Sequence, residues 1–137
     1  GGTARRGASK RKVARPTPSG RLTGLSTELL SLWSRVYKHP SAWPFREPVD
    51  SQEAPGYSTV VKNPLDLGTV RDTLDHGTRY TSAARLRGDL VLICSNAKAY
   101  NAPGTHVHRA AEELEGFIID LFRDSDAGPE GADIVVD

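Results

Sequence analysis

Four stretches of this chain place apolar residues at steps of three and four, and none reads convincingly as an alternating strand. That periodicity is helical and restricts the chain to an all-α fold. Leu22, Leu25, Leu29, Leu32 and Val36 form the first stripe. Thr23 or Ser26 is positioned to cap its start, and Pro40 follows its end. The second is short: Leu67, Val70 and Leu74, with Asp66 as N-cap behind Pro64 and Gly77 as the C-terminal stop. The third runs from about Ser82 to Tyr100 through Leu86, Leu90, Ile93 and Ala97, capped by Thr81 or Ser82. Gly88 inside it costs about 1 kcal/mol relative to Ala. The fourth runs from about Thr105 to Phe122 through Val107, Ala110, Ala111, Leu114, Phe117, Ile118 and Leu121. Three long helices and one short one, each with one apolar face, imply an antiparallel four-helix bundle.

Residues 41–63 join the first helix to the second. A structureless connection of that length in a compact domain is either functional or disordered. Trp43, Phe45, Val49, Tyr57, Val60 and Val61 make it too apolar for solvated disorder, and Pro44, Pro48 and Pro55 stiffen it. A stiff apolar loop has to pack on one end of the bundle, and loops fixed on rigid scaffolds are where binding sites sit. Trp43-Pro44-Phe45 offers an aromatic shelf. Tyr100-Asn101-Ala102-Pro103-Gly104 places a lone amide at a helix end. Together they make a pocket suited to a neutral, amide-bearing side chain.

Net charge of +1 conceals an asymmetry. Residues 1–21 hold seven of the 18 basic residues and no acidic one. The remaining 11 basic residues face all 17 acidic ones, a net of −6. The arm is rich in Gly, Ala, Ser, Pro and Thr, too poor in apolar surface to offset the entropy of ordering. It is expected to be a disordered tail over 1–21, followed by one domain over 22–122 and a flexible acidic tail over 123–137. Such a basic arm can touch nucleic acid. Lys10-Arg11-Lys12 also resembles a nuclear-localisation cluster, and a featureless tail is a further alternative. No apolar run approaches the ~20 residues of a membrane span, and the start of the chain has no secretory h-region. The single cysteine, Cys94, excludes an intramolecular disulfide and fits a reducing compartment. The length and the two tails suit a module of a longer protein.

The segments WPFREPVD (43–50), EAPGYSTVVKNPLDLGTV (53–70), YTSAARLRGDLVLICSNAKAYNAPG (80–104) and HVHRAAEELEGF (106–117) resemble those of a bromodomain, the acetyl-lysine reader. The resemblance covers about residues 25–122, with its motifs in the right order and spacing. Glu53-Ala54-Pro55-Gly56-Tyr57 is most similar to bromodomains of histone acetyltransferases and remodelling-complex subunits. The resemblance implies a left-handed four-helix bundle (helices Z, A, B and C) with its pocket between the long Z–A loop and the B–C loop. It further implies that Asn101 donates to the acetyl carbonyl and that Tyr57 holds a water bridging to it. By the same resemblance Trp43, Pro44 and Phe45 form the shelf, Val49 and Ala54 the wall, Tyr100 sits beside Asn101, and Val107 is the gatekeeper. Leu65 replaces the commoner Met, Leu86 a common Phe, and Ala54 a bulkier residue of other subfamilies. These departures bear on peptide preference and leave the asparagine and tyrosine in place.

Acetylation turns a hydrated cation into an apolar stem carrying one carbonyl, one N–H and a methyl. A mostly apolar slot with one oriented donor suits it. Asn101 can donate through its NH2 while its oxygen is satisfied by backbone or water. Unmodified lysine would bury an unpaired charge. In isolation Asn101 is equally a helix C-cap, Tyr57 a packed loop aromatic, and Trp43 and Phe45 core plugs, Phe45 serving both purposes. Cys94 has no acid–base partner and is expected as a small buried hydrophobe. His106 and His108 point apart and are expected at the surface. Glu112, Glu113 and Glu115 are expected as a solvated face. No phosphate loop, zinc spacing or nucleophile–base pair is present, so catalysis, metal and cofactor are not expected.

The expected function is a monomeric, nuclear reader of acetylated histone peptides in chromatin and transcription regulation. An acetylated non-histone protein, or nucleic acid bound by residues 1–21, is the alternative. An enzyme of unknown type is a third. No membrane partner is expected.

Overall fold

In a computed structural model, which describes residues 24–125, the helical periodicities become α1 (Gly24–Tyr37), α3 (Leu67–His76), α4 (Ala83–Tyr100) and α5 (His106–Ser125). The connection between α1 and α3 carries a 3₁₀ segment (Pro40–Phe45) and a single turn, α2 (Tyr57–Val60). No strand occurs among the described residues. The expected tails fall outside them, apart from residues 123–125, which extend α5 past its expected end at Phe122. Leu22 and Thr23 also fall outside. Ser26 lies within α1, so it is not the cap.

Each helix is built from local signals. In α1, Leu29, Leu32 and Val36 are buried as expected, and so is Trp33, which shares their face. Leu25 stays 39% exposed. Asp66, itself buried, caps α3 by accepting from the Thr69 N–H at 3.0 Å and the Thr69 hydroxyl at 2.6 Å. Gly77 ends α3 in the left-handed region at φ 75°. Ser82 caps α4, accepting from the Arg85 N–H at 3.2 Å. The Thr105 hydroxyl accepts from the His108 N–H at 3.3 Å in the first turn of α5.

The core is continuous across all the long helices. Its most extensive pair is α4 with α5, where Leu86, Leu90, Ile93, Cys94 and Ala97 meet Ala110, Ala111, Leu114, Ile118 and Phe122. The two alanines allow close approach, and Lys98 pairs with Glu115 across the interface. Before α4, Tyr80 donates to Asp89 at 2.7 Å, and Arg79 adds a bidentate pair at 2.8 and 3.0 Å. Burial raises the Asp89 carboxyl, but the hydrogen bonds from Arg79 and Tyr80 outweigh it and hold the group below its ordinary value.

The α1–α3 connection is not structureless. His39 caps the 3₁₀ segment, its Nδ1 accepting from the Ser41 N–H at 3.0 Å, and Pro40 occupies a first-turn position where no donor is needed. Ser41 then donates to Glu113 of α5 at 2.7 Å, and the His39 ring packs on Phe117 with centroids 4.5 Å apart. Arg46 folds back on α1, donating to the carbonyls of Tyr37 at 3.0 Å and His39 at 3.3 Å, with its guanidinium over the Tyr37 ring. The Trp33 indole donates to the Leu67 carbonyl at 2.9 Å. Tyr100 donates to Pro55 at 2.8 Å, and Asn96 to Asn63 at 2.9 Å. Gly68 approaches Arg46 so closely that an added Cβ would lie 3.1 Å from the Arg46 carbonyl and 3.1 Å from Asp66 Oδ2.

Two surface expectations are corrected. His108 is buried, because it falls on the Ala111 face of α5; only His106 is exposed. The buried His108 Nδ1 has no hydrogen-bond partner among the described residues; Glu112, at 3.6 Å, is an electrostatic neighbour beyond bonding distance. Glu112 and Glu113 are exposed as expected, but Glu115 is half-buried, and Glu113 and Glu115 hold Ser41 and Lys98.

Candidate functional site

A cleft of about 340 Å³, part of it open solvent, lies between the α1–α3 connection and the facing ends of α4 and α5. The connection supplies Pro44, Phe45, Glu47, Val49, Tyr57, Leu65 and Asp66. The helices and their junction supply Ile93, Ala97, Asn101 and Val107. Six of the nine residues expected from sequence therefore line one cavity: Pro44, Phe45, Val49, Tyr57, Asn101 and Val107.

The other three stand behind or beside it. Trp43 is 56% exposed and is not a wall of the cleft. Its neighbour Phe45 is 6% exposed and combines core and cleft, as expected. Ala54 acts through its backbone, its carbonyl accepting from the Tyr57 N–H at 3.1 Å. Tyr100 supports Tyr57 from behind, edge to face at 5.1 Å between centroids, while its own hydroxyl is spent on Pro55. Gly56 precedes Tyr57 at φ 73°, a backbone state that favours glycine, and so starts the turn that aims the tyrosine.

Asn101 closes α4 in an extended conformation. Its backbone N–H and its side-chain Nδ2 both reach the Ala97 carbonyl, each at 2.9 Å. A carbonyl only accepts, so the amide must present nitrogen there. The anchored group is thus the nitrogen rather than the expected oxygen, and one N–H and the side-chain carbonyl stay uncommitted among the described residues. C-cap and cleft residue are one role: the cap bond fixes the rotamer that leaves the second N–H available. The Tyr57 hydroxyl also has no protein partner among the described residues, and partial burial raises it above an ordinary phenol.

Sequence reasoning missed Glu47, Leu65, Asp66, Ile93 and Ala97 as lining residues. Two of these were legible. Ile93, Ala97 and Asn101 are spaced by four on one helical face, so the α4 stripe already counted as core runs on into the cleft. Burial, and then Glu115, pushes the Cys94 thiol up to about 12, far from a reactive thiolate. Among the described residues no group of His, Cys, Asp and Glu could hold a metal ion, and no helix is long and apolar enough to cross a membrane.

Comparison with known proteins agrees with this geometry. The family described as Bromodomain matches residues 29–113. The chain is 38% identical over 93 residues to histone acetyltransferase GCN5 of Oryza sativa subsp. japonica, covering 68% of this chain and 18% of that protein. It is 38% identical over 96 residues to nucleosome-remodeling factor subunit NURF301 of Drosophila melanogaster, covering 70% and 4%. It is 40% identical over 92 residues to transcription factor GTE10 of Arabidopsis thaliana, covering 66% and 9%. It thus spans less than a fifth of each relative's length. Among solved structures, the bromodomain of human BAZ1A superposes with a TM-score of 0.66 at 25% identity, covering 70% of this chain and 89% of that one.

Proposed function

Because the chain belongs to the bromodomain family, whose members are acetyl-lysine-binding modules rather than catalysts, we propose that this cleft reads acetylated lysine on histone tails. The observation that carries the proposal is the second N–H of the Asn101 amide, oriented by the first, which donates to the Ala97 carbonyl, in an otherwise mostly apolar cleft with Tyr57. An acetyl carbonyl accepting from that N–H satisfies both groups, and the acetyl methyl and lysine stem suit Phe45, Val49, Leu65 and Val107. The Tyr57 hydroxyl is available for a water bridging to the same carbonyl. An unmodified ammonium would lose its hydration, with the Asp66 carboxylate already engaged by Thr69 and Glu47 exposed at the rim. Relatives named for histone acetylation, nucleosome remodelling and transcription support a nuclear, chromatin-bound partner.

The test is a titration of histone-tail peptides, each beside its unacetylated twin, against wild type and Asn101→Ala. Binding is expected for acetylated peptides alone. The variant is expected to lose about 1–3 kcal/mol of it, the cost of an unsatisfied carbonyl. Equal binding of twin peptides would overturn the proposal. Exclusive binding of an acetylated non-histone sequence would keep the site and change the partner. The seven basic residues of 1–21 favour a second contact, with DNA. It predicts a steep salt dependence that is lost when those residues are deleted.

A further inference from the structure

We propose that Glu47 makes this cleft selective for acetyl-lysine flanked by a cationic side chain; the proposal rests on the reader function above. Two carboxylates line the cleft, and they differ. Asp66 is buried and fully engaged by Thr69. Glu47 is exposed, and no hydrogen bond or ion pair engages it among the described residues.

The neighbouring cation does not neutralise it. Arg46 is turned toward α1, where the Tyr37 and His39 carbonyls and the Tyr37 ring hold its guanidinium. Along this lip, residues 47–61 carry Asp50 and Glu53 besides Glu47 and no basic side chain, the next cation being Lys62. On α5, Glu113 and Glu115 are already engaged, by Ser41 and Lys98. Glu47 is therefore the unspent charge at the cleft itself. A peptide whose acetyl-lysine enters the cleft must pass its neighbours along that lip. An unmodified lysine or arginine there gains a partner without being buried. Such a rim pair adds modest affinity and more selectivity.

The probe is a synthetic Gly/Ser peptide with one acetyl-lysine and one unmodified lysine moved residue by residue around it. A control series carries norleucine in place of the moving lysine. Chemical-shift titration by NMR reads weak affinities for wild type, Glu47→Gln, Glu47→Lys and Asn101→Ala. Wild type is expected to prefer the lysine series at one or two positions by about two- to fivefold, as for an exposed ion pair. Glu47→Gln abolishes that preference and Glu47→Lys reverses it, each read as the ratio of the lysine series to the norleucine series within the same variant. The preference also fades as salt approaches about 1 M. Acetyl-dependent binding with no positional preference, or a preference that survives Glu47→Gln, overturns the assignment to Glu47 alone. Absence of acetyl-dependent, Asn101-dependent binding overturns the reader function and this selectivity with it.

Discussion

The α4–α5 pair and the α1–α3 connection are held by different physics. The helix pair buries a broad apolar face in which every contact is replaceable by a neighbour of similar volume. The connection, which carries seven of the eleven cleft residues, buries Ala42, Phe45 and Val61, but its course is pinned by single polar bonds: Trp33 to Leu67 between the helices at its ends, Arg46 to Tyr37, Ser41 to Glu113, Tyr100 to Pro55 and Asn96 to Asn63. An apolar face is tolerant in geometry and sensitive in volume. A set of isolated bonds is the reverse: each contributes little stability but sets where a side chain points. Stability is therefore expected to reside in the bundle, and binding geometry in the connection.

The largest effect should come from the bundle. Phe122 is fully buried in the core, and Phe122→Ala is expected to cost about 3–5 kcal/mol in denaturant unfolding. The folded fraction should bind acetylated peptide as wild type does, because Phe122 does not line the cleft. A loss of affinity matching the loss of stability would erase the distinction between the two regions.

A smaller change in stability with a larger change in binding is expected from the connection. Trp33→Phe removes the donor to the buried Leu67 carbonyl at the start of α3. The cost is about 1–3 kcal/mol, that of a buried acceptor losing its partner. Leu67 follows Asp66, a cleft residue, so peptide affinity should fall as well, read by the same titration. Unchanged affinity at reduced stability would mean that this tether is redundant with the others.

The same contrast explains what could be read from sequence. The bundle was legible because a helix repeats its burial every three to four residues: Leu86, Leu90, Ile93 and Ala97 declare α4 without knowledge of their partners. The caps Asp66 and Ser82 and the stop Gly77 were legible because each acts within a few residues of itself. The tethers of the connection were not. Ser41 and Glu113 lie 72 residues apart, and Trp33 and Leu67 34 apart, with no local signature in either. The site stood between these extremes. Asn101 was legible as a lone amide at a helix end, the role of Tyr57 came from the family resemblance, and both line the cavity. The outward position of Trp43 and the unspent charge of Glu47 depend on how the connection packs, which no local pattern encodes.

The smallest effects should also differ between the two regions. Gly116 lies in exposed helix in α5, and a Cβ there would meet nothing within 4 Å. Gly116→Ala is therefore expected to stabilise by about 0.5–1 kcal/mol, through reduced unfolded-state entropy and better helix propensity. Gly68 is also helical, at the start of α3, yet its Cβ would press on the Arg46 carbonyl and Asp66 Oδ2. That carbonyl accepts from the Gly68 N–H at 3.2 Å and belongs to backbone that Arg46 itself ties to α1. It cannot yield without moving Glu47 and Asp66 in the cleft wall. Gly68→Ala should therefore gain nothing in stability despite its helical position, and should weaken peptide binding, whereas Gly116→Ala leaves binding unchanged. Equal stabilisation by both substitutions would show that the connection yields freely at Arg46, and that the cleft is set by the bundle rather than by its tethers.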